Sequence, residues 1–324
     1  MSLNGHSISR RPKQLRIIGM QGLGDNLYQR AFIKTLANER DIYLETSWPE
    51  FYSDLPVKVV KPSVWAKLRT QRKNVERSKV AWQPPPTSCE AKRISYTLAF
   101  RSGRSIINGM EESFGIKFNA EDFGPPPLPE SPIKTDKPIA FVRPITVRAE
   151  WFNPARNPEP KYLAEIVDVL RPTHHVVTVA DIEQGQEWLV AQPPIKADTD
   201  FTHGELSGLS MLALLGVSDI IVGGVGFIVP ASLALKRSAF VLLGGQAAHN
   251  SPARILDKRL DCSRIGFATP KDFCQCSNMR HDCRKAIPDL MAQFSRFLAD
   301  RPSAISLPNA GCAGSPSLEL AISL

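Results

Sequence analysis

The sequence predicts an α/β protein of two lobes, each built on a parallel sheet, with a cleft between them. Three observations point there. Short apolar runs alternate with helical patterns along both halves of the chain, the order that gives parallel strands joined by right-handed crossovers. The 324 residues are about twice the usual size of one domain. The stretch GPPPLPESPIKTDKP, residues 124–138, carries six prolines in fifteen positions. Such a segment is extended and stiff, and it marks the boundary between the lobes.

Taken in order, residues 1–14 form a basic polar tail with no apolar segment of the signal-peptide kind behind it. The run LRIIGM, 15–20, is a first strand, and an apolar face of Leu27, Ala31, Ile33, Leu36 and Ala37 predicts the helix that follows. DIYLE at 41–45 and VKVV at 57–60 are the next strands. A basic helix over 64–80, a break at Pro84-Pro85-Pro86, a strand over 94–100 and a helix over 105–114 complete a first lobe of residues 15–123. The second lobe, residues 139–300, repeats the alternation. Strands are expected at 139–142, 175–179, 219–222 and 239–243, with helices at 158–170, 206–215 and 229–235. Residues 301–324 are a tail rich in Ser, Ala, Pro and Gly.

Composition narrows the classes. Apolar residues at 43% and charged residues at 22% are ordinary globular usage, which excludes wholesale disorder. The longest apolar stretch, 220–235, is broken by Gly223, Gly224, Gly226 and Pro230, so no membrane span is expected. Six cysteines in a chain of this length do not make a disulfide scaffold, which suggests a reducing, cytoplasmic setting.

The net charge of +8 is unevenly spread. Between Lys58 and Arg104 twelve basic residues face only Glu76 and Glu90, which leaves +10 there and −2 elsewhere. Such a patch gathers anionic partners and says nothing of fold. It is either a solvated face or a surface for nucleic acid, a phosphorylated glycolipid or another polyanion. Arg69, Arg72 and Lys73 lie at its centre.

In open parallel sheets, ligands bind beyond the carboxyl ends of the strands. Three loops there could carry chemistry. Gly22-Leu23-Gly24-Asp25-Asn26 joins the first strand to the first helix. Its glycines allow close backbone approach, and Asp25 is either a helix cap or a carboxylate that takes a proton from an acceptor hydroxyl. Gly223-Gly224-Val225-Gly226 precedes a helix, where main-chain amides and the dipole suit a diphosphate, although the dinucleotide spacing G-x-G-x-x-G is absent. The long loop 143–161 holds Arg143, Arg148 and Arg156, which can clamp phosphate oxygens, and Trp151, which can stack on a base.

Weaker signals remain. Asp198-Thr199-Asp200 is a D-x-D that could hold Mg²⁺. Cys262, Cys274, Cys276, His281 and Cys283 offer enough ligands for zinc without the paired C-x2-C spacing; buried free thiols are the other reading. His174 and His175 read as packing residues at a strand start.

GMQGLGDNLYQRAFIKTLANERDIYLETSWPEFYSDLPVKVV resembles the opening of heptosyltransferase-like proteins, glycosyltransferase family 9. LSMLALLGVSDIIVGGVGFIVPASLALKRSAFVLLGG resembles that family's donor-binding region. The resemblance extends over about two thirds of the chain; residues 61–135 are not covered. The resemblance implies a GT-B fold of two Rossmann-like lobes, with acceptor on the first and nucleotide sugar on the second. It implies metal-independent, inverting transfer with no cofactor. It makes Asp25 the base and Arg156, with Arg148 upstream, the partners of the donor phosphate. The family's donor turn reads D-x-G-x-x-H; Gly224 and Val229 stand at its acid and histidine, while Gly226 is kept.

These readings combine into an expected glycosyltransferase acting on a nucleotide diphosphate sugar. The donor would lie among Arg143, Arg148, Arg156, Gly223, Gly224 and Gly226, and the acceptor among Gly24, Asn26, Arg69, Arg72 and Lys73. Two anionic acceptors fit: a phosphorylated saccharide or lipid core, and DNA with a hydroxylated base, which must be extruded to react. The alternative is a non-catalytic nucleic-acid-binding protein on the same scaffold, favoured by the altered donor turn.

Overall fold

The structure, a computed structural model, describes residues 13–62, 68–190, 195–281 and 283–302. Residues 1–12, residues 63–67 where the basic helix is expected to begin, and the expected tail from residue 303 lie outside the described residues. The first lobe comprises β1 (Gln14–Ile18), α1 (Leu23–Ala37), β2 (Asp41–Glu45), β3 (Val57–Val60), α2 (Arg69–Arg77), β4 (Glu90–Arg93), α3 (Thr97–Arg101) and α4 (Ile106–Phe114). Its sheet has the order β3-β2-β1-β4 and every pair is parallel.

The second lobe opens with β5 (Ile139–Arg143), β6 (Thr146–Arg148), α5 (Pro160–Leu170), β7 (His175–Val179), β8 (Glu187–Leu189) and β9 (Thr199–Phe201). It continues through α6 (Gly208–Val217), β10 (Ile220–Gly224), α7 (Ile228–Leu235), β11 (Ser238–Leu242), α8 (Ala247–Asn250), α9 (Pro252–Ile255), β12 (Ile265–Ala268) and α10 (Leu290–Asp300). The sheet order is β12-β11-β10-β5-β7-β9, again parallel, while β6 and β8 form a separate antiparallel ribbon. The fold is therefore α/β with two parallel-sheet lobes, as the alternation predicts.

Of the elements that differ from expectation, two lie beside the site. The strand expected over 94–100 is instead the polar strand β4, EAKR, followed by α3. As the sheet's edge strand β4 is mostly exposed, so it needs no apolar alternation, and the apolar signal of Ile94 and Tyr96 belongs to the loop beyond it. The loop 143–161 is interrupted by β6, a strand too short to leave a periodic pattern.

The lobes share a core. Leu27, Tyr28 and Phe32 of α1 belong to one buried apolar cluster with Ile228, Val229 and Ala231 of α7. Burying a Leu, Ile, Val or Phe side chain in it contributes about 1.5–3 kcal/mol. Gly24 makes the close approach feasible: a Cβ there would lie 3.1 Å from Pro230 and 3.2 Å from the Phe227 Cα. The Tyr28 hydroxyl completes the junction by donating to the Ile255 carbonyl at 2.8 Å. Along this line the expected cleft is closed, because α1 and α7 present apolar faces to each other. The other face of the second sheet is covered by α5 and α10, with Leu163, Ile166 and Phe294 over Ala140 and Val142.

Candidate active site

Each sheet changes direction once. In the first, the chain runs from β1 outward to β3 and then returns to place β4 on the other side of β1. In the second, it runs from β5 out to β9 and returns to place β10 on the other side of β5. Loops leaving adjacent strands diverge at such switch points and leave a crevice. The β1 and β4 loops carry Asp25 and Tyr96; the β5 and β10 loops carry Arg156 and Gly226. All four meet between the lobes.

Asp25 sits in the first turn of α1. Its carboxylate bends back over Gly22, whose amide bonds to it, and a Cβ on Gly22 would fall 2.4 Å from Oδ2. Asp25 thus takes up the carboxylate half of a capping box while facing the seam. The Tyr96 hydroxyl donates to Oδ1 at 3.0 Å. Burial raises the carboxyl above its ordinary value, and Tyr96, the Arg156 charge and the Gly22 amide oppose it. Burial and the Asp25 charge push the Tyr96 phenol well above its usual value, so it stays a neutral donor. Asp25, Tyr96 and Arg156 each keep part of their surface open.

Arg156 ends a short 3-10 turn, residues Pro154–Arg156. One Nη donates to the Val225 carbonyl at 2.8 Å, and the guanidinium lies over Trp151 at 5.1 Å. Its Nε is buried and has no hydrogen-bond partner. An unsatisfied, desolvated donor beside the start of α7 is suited to an anion. Trp151 itself is 41% exposed. Gly226 lies beside the guanidinium, with Nη2 3.7 Å from where a Cβ would be.

The other expected donor residues are placed differently. Arg143 donates to the Val179 carbonyl at 2.8 Å and to Glu187 at 3.0 Å, and Arg148 pairs with the same buried Glu187 at 2.9 Å. These guanidinium groups close an internal network that the Thr146 hydroxyl joins at 2.7 Å. Gly223 and Gly224 lie within β10, not in the turn, and a Cβ on Gly223 would be 2.9 Å from that of Arg143. Glycine there serves strand packing.

The expected acceptor residues are also engaged. Asn26 is fully buried; its amide donates to the Met20 and Gly22 carbonyls, and its oxygen accepts from Gln29, Thr46 and Tyr52. It fixes the turn that aims Asp25. Arg69 and Lys73 reach across to Asp181, Arg69 also binds Glu183 at 2.6 Å, and Arg72 pairs with Glu150 at 3.2 Å. The centre of the basic patch is thus neutralised by the second lobe. A hollow of about 180 Å³ beside it is lined by Lys61, Pro62, Arg72, Val75 and Glu76, none of them at the Asp25 seam.

The D-x-D is spent on strand pairing: Asp198 accepts from the Val176 amide at 2.8 Å and Asp200 from the Thr178 hydroxyl. This corrects the Mg²⁺ reading, since both carboxylates bind the neighbouring strand. His174 bonds Asp219 at 3.1 Å and His175 bonds Thr199 at 2.9 Å, as packing residues. Cys274, Cys276, His281 and Cys283 do come together, with their ligand atoms all within 4.8 Å of one another. Cys262 does not join them; its thiol points to the Asp257 carbonyl.

Sequence reasoning missed Tyr96. Its signal lies in Gly109 of α4, where a Cβ would be 2.5 Å from that of Tyr96; no periodicity points to such a contact.

No protein-family model matches the sequence, and no curated protein matches it. Solved structures do share its fold. Dodecameric iron-containing heptosyltransferase TibC in complex with ADP-D-beta-D-heptose aligns with a TM-score of 0.55 at 11% identity, over 90% of this chain and 74% of that one. ADP-heptose lps heptosyltransferase II of E. coli aligns with a TM-score of 0.51 at 13% identity, over 88% of this chain and 98% of that one. TibC from enterotoxigenic E. coli H10407 gives 0.51 at 14% identity over 76% of this chain; the match spans 63% of that chain, under two thirds of its length. The chain has the two-lobed GT-B fold found in heptosyltransferases.

Proposed function

We propose that the protein is a glycosyltransferase that moves a sugar from a nucleotide diphosphate sugar to the hydroxyl of an anionic saccharide or lipid core. The observation that carries this reading is the meeting of Asp25, Tyr96 and Arg156 where the two switch points face each other. The diphosphate would lie against Arg156 and the start of α7, and the base of the nucleotide against Trp151. The guanidinium and the helix dipole would stabilise the departing diphosphate. Asp25 would take the acceptor proton as the hydroxyl attacks the anomeric carbon from the opposite face, which makes the transfer inverting. Arg156, not a metal ion, would supply the positive charge at the leaving group. Two of the neighbours named above, TibC in complex with ADP-D-beta-D-heptose and ADP-heptose lps heptosyltransferase II, support a nucleotide diphosphate sugar as donor.

DNA is the less supported acceptor. Arg69, Arg72 and Lys73, the residues expected to hold it, are paired with acids of the second lobe. Exposed Lys79, Arg93 and Arg101 keep the region positive, which suits an acceptor carrying a few phosphates. Mass spectrometry of candidate acceptors, incubated with a mixture of sugar nucleotides, tests the reading. A mass gain of one sugar on a phosphorylated glycan or lipid core is expected. A gain on DNA alone contradicts the acceptor class, and no gain together with salt-steep DNA binding favours a non-catalytic binding protein.

A further inference from the structure

The cysteine-histidine cluster lies outside the Asp25 seam, in the stretch between β12 and α10. Cys274 Sγ is 3.1 Å from Cys276 Sγ and 2.9 Å from Cys283 Sγ, and Cys276 and Cys283 are 3.6 Å apart. His281 Nδ1 is 2.7 Å from Cys283 Sγ. All three cysteines are free. A disulfide needs its sulfurs at about 2.05 Å, and no pair here approaches that. Sulfurs sharing one tetrahedral ion with bonds of about 2.3 Å stand a little under 4 Å apart. Three thiols and an imidazole converging so closely have chemical sense as one ligand set. The Gln246 amide, 3.2 Å from Cys274 Sγ, adds the kind of outer hydrogen bond that steadies a bound thiolate.

The cluster is wired to the proposed donor site. The Ala247 amide donates to the Cys274 carbonyl at 2.7 Å and the Ala155 amide to the Met279 carbonyl at 3.0 Å. Lys285 Nζ donates to the Pro154 carbonyl at 2.7 Å. Gly245 is held between the two: a Cβ there would be 2.6 Å from the Ala155 carbonyl and 3.0 Å from Cys274 Sγ. The backbone of the turn that ends in Arg156 therefore leans on the loop that carries the ligands.

We propose that Cys274, Cys276, His281 and Cys283 bind one thiophilic transition-metal ion, zinc or iron, and that this ion holds the turn bearing Arg156 in place. Its role is structural; no step of transfer passes through it. The second half of the proposal rests on the donor-site reading above. Softness and a tetrahedral sulfur-nitrogen set select these ions over Mg²⁺ or Ca²⁺.

Elemental analysis of the full chain tests the site, first as purified in buffer without chelator and then after reconstitution with Zn²⁺ or Fe²⁺ under reducing conditions. One ion per chain is expected. The elemental analysis itself names the metal, and bound iron also develops a visible sulfur-to-iron charge-transfer band on oxidation to Fe³⁺, which zinc does not. Cys276→Ser and His281→Ala lose the ion, whereas Cys262→Ser keeps it. Should the variants not fold, titrating the wild type with a mercurial thiol reagent is expected to release the ion in step with thiol modification. A chain that holds no ion under either condition, or loses none on thiol titration, overturns the site. Calorimetry with ADP, UDP and GDP then tests the coupling. Removal of the ion is expected to weaken the nucleotide that binds best by about tenfold, and unchanged affinity overturns the positioning role. A metal-loaded chain that binds none of the three counts against the donor reading and leaves the metal site standing.

Discussion

The Tyr96 hydroxyl donates to Asp25 Oδ1 at 3.0 Å, joining the loop after β4 to the first turn of α1. That bond favours the charged form of the carboxylate, against the burial that raises its pKa. Tyr96→Phe removes it. A hydrogen bond to a charged group contributes about 1.5–3 kcal/mol, so the acidic limb of the pH–rate profile for transfer is expected to move to higher pH. A limb that stays in place in Tyr96→Phe separates Tyr96 from the base.

Asp25→Asn is expected to cut transfer by about 10²–10⁴-fold while nucleotide binding survives. The same change is expected to stabilise the fold at neutral pH. A carboxyl whose pKa is raised on folding costs stability when ionised: the penalty is absent below the unfolded value and complete above the folded one. The melting temperature of Asp25→Asn should therefore exceed the wild type at pH 7, and the gap should close as pH falls toward 4. Thermal unfolding at the two pH values checks the sign.

Arginines of one loop are expected to behave in opposite ways. Arg156→Ala should leave stability nearly unchanged and abolish diphosphate binding. Arg143→Ala takes one of the two guanidinium partners from the buried Glu187 carboxylate, leaving it Arg148 and Thr146, and should cost about 1.5–3 kcal/mol of stability. Denaturant unfolding of both variants, beside calorimetry with nucleoside diphosphates, distinguishes a ligand-facing arginine from a scaffold one.

Arg69 and Lys73 tie α2 to Asp181 across the lobes. Arg69→Ala should loosen this tie and lower the melting temperature at low and high salt alike, since the Arg69–Asp181 pair is nearly buried and weakly screened. An unchanged melting temperature contradicts the tie. Binding to duplex DNA should be weak in both proteins.

Asp219 accepts from His174 and from Arg301, and its pKa falls to about 2, chiefly through the His174 hydrogen bond. A depressed carboxyl gives stability that is full above its unfolded value and is lost as pH falls through the folded one. The stability difference between wild type and Asp219→Asn should shrink between about pH 4 and pH 2. Acid unfolding followed by circular dichroism checks it.

The architecture was legible because its strands are buried on both faces and read as apolar runs. DIYLE, VKVV and HVVTV coincide with β2, β3 and β7. β4 and β12 were not, the first because an exposed edge needs no apolar pattern and the second because IGFA is too short to separate from its loops. Of the candidate site, Asp25, Arg156 and Gly226 could be placed at the ends of strands from their loops alone. The partnerships of Arg69, Arg143 and Asn26 could not, since each is set by a residue far away in the chain. Tyr96 was hidden for the same reason: its neighbours Asp25 and Gly109 come from other elements.

On the proposed reading, the seam of Asp25, Tyr96 and Arg156 holds a nucleotide diphosphate sugar. Thermal shift of wild type and Arg156→Ala against a panel of nucleoside diphosphates and their sugars tests it most directly. A ligand at 100 times its dissociation constant adds about 2.7 kcal/mol of stability, so at least one member should raise the wild-type melting temperature and leave Arg156→Ala unmoved. A panel that shifts neither protein, or both equally, contradicts the account.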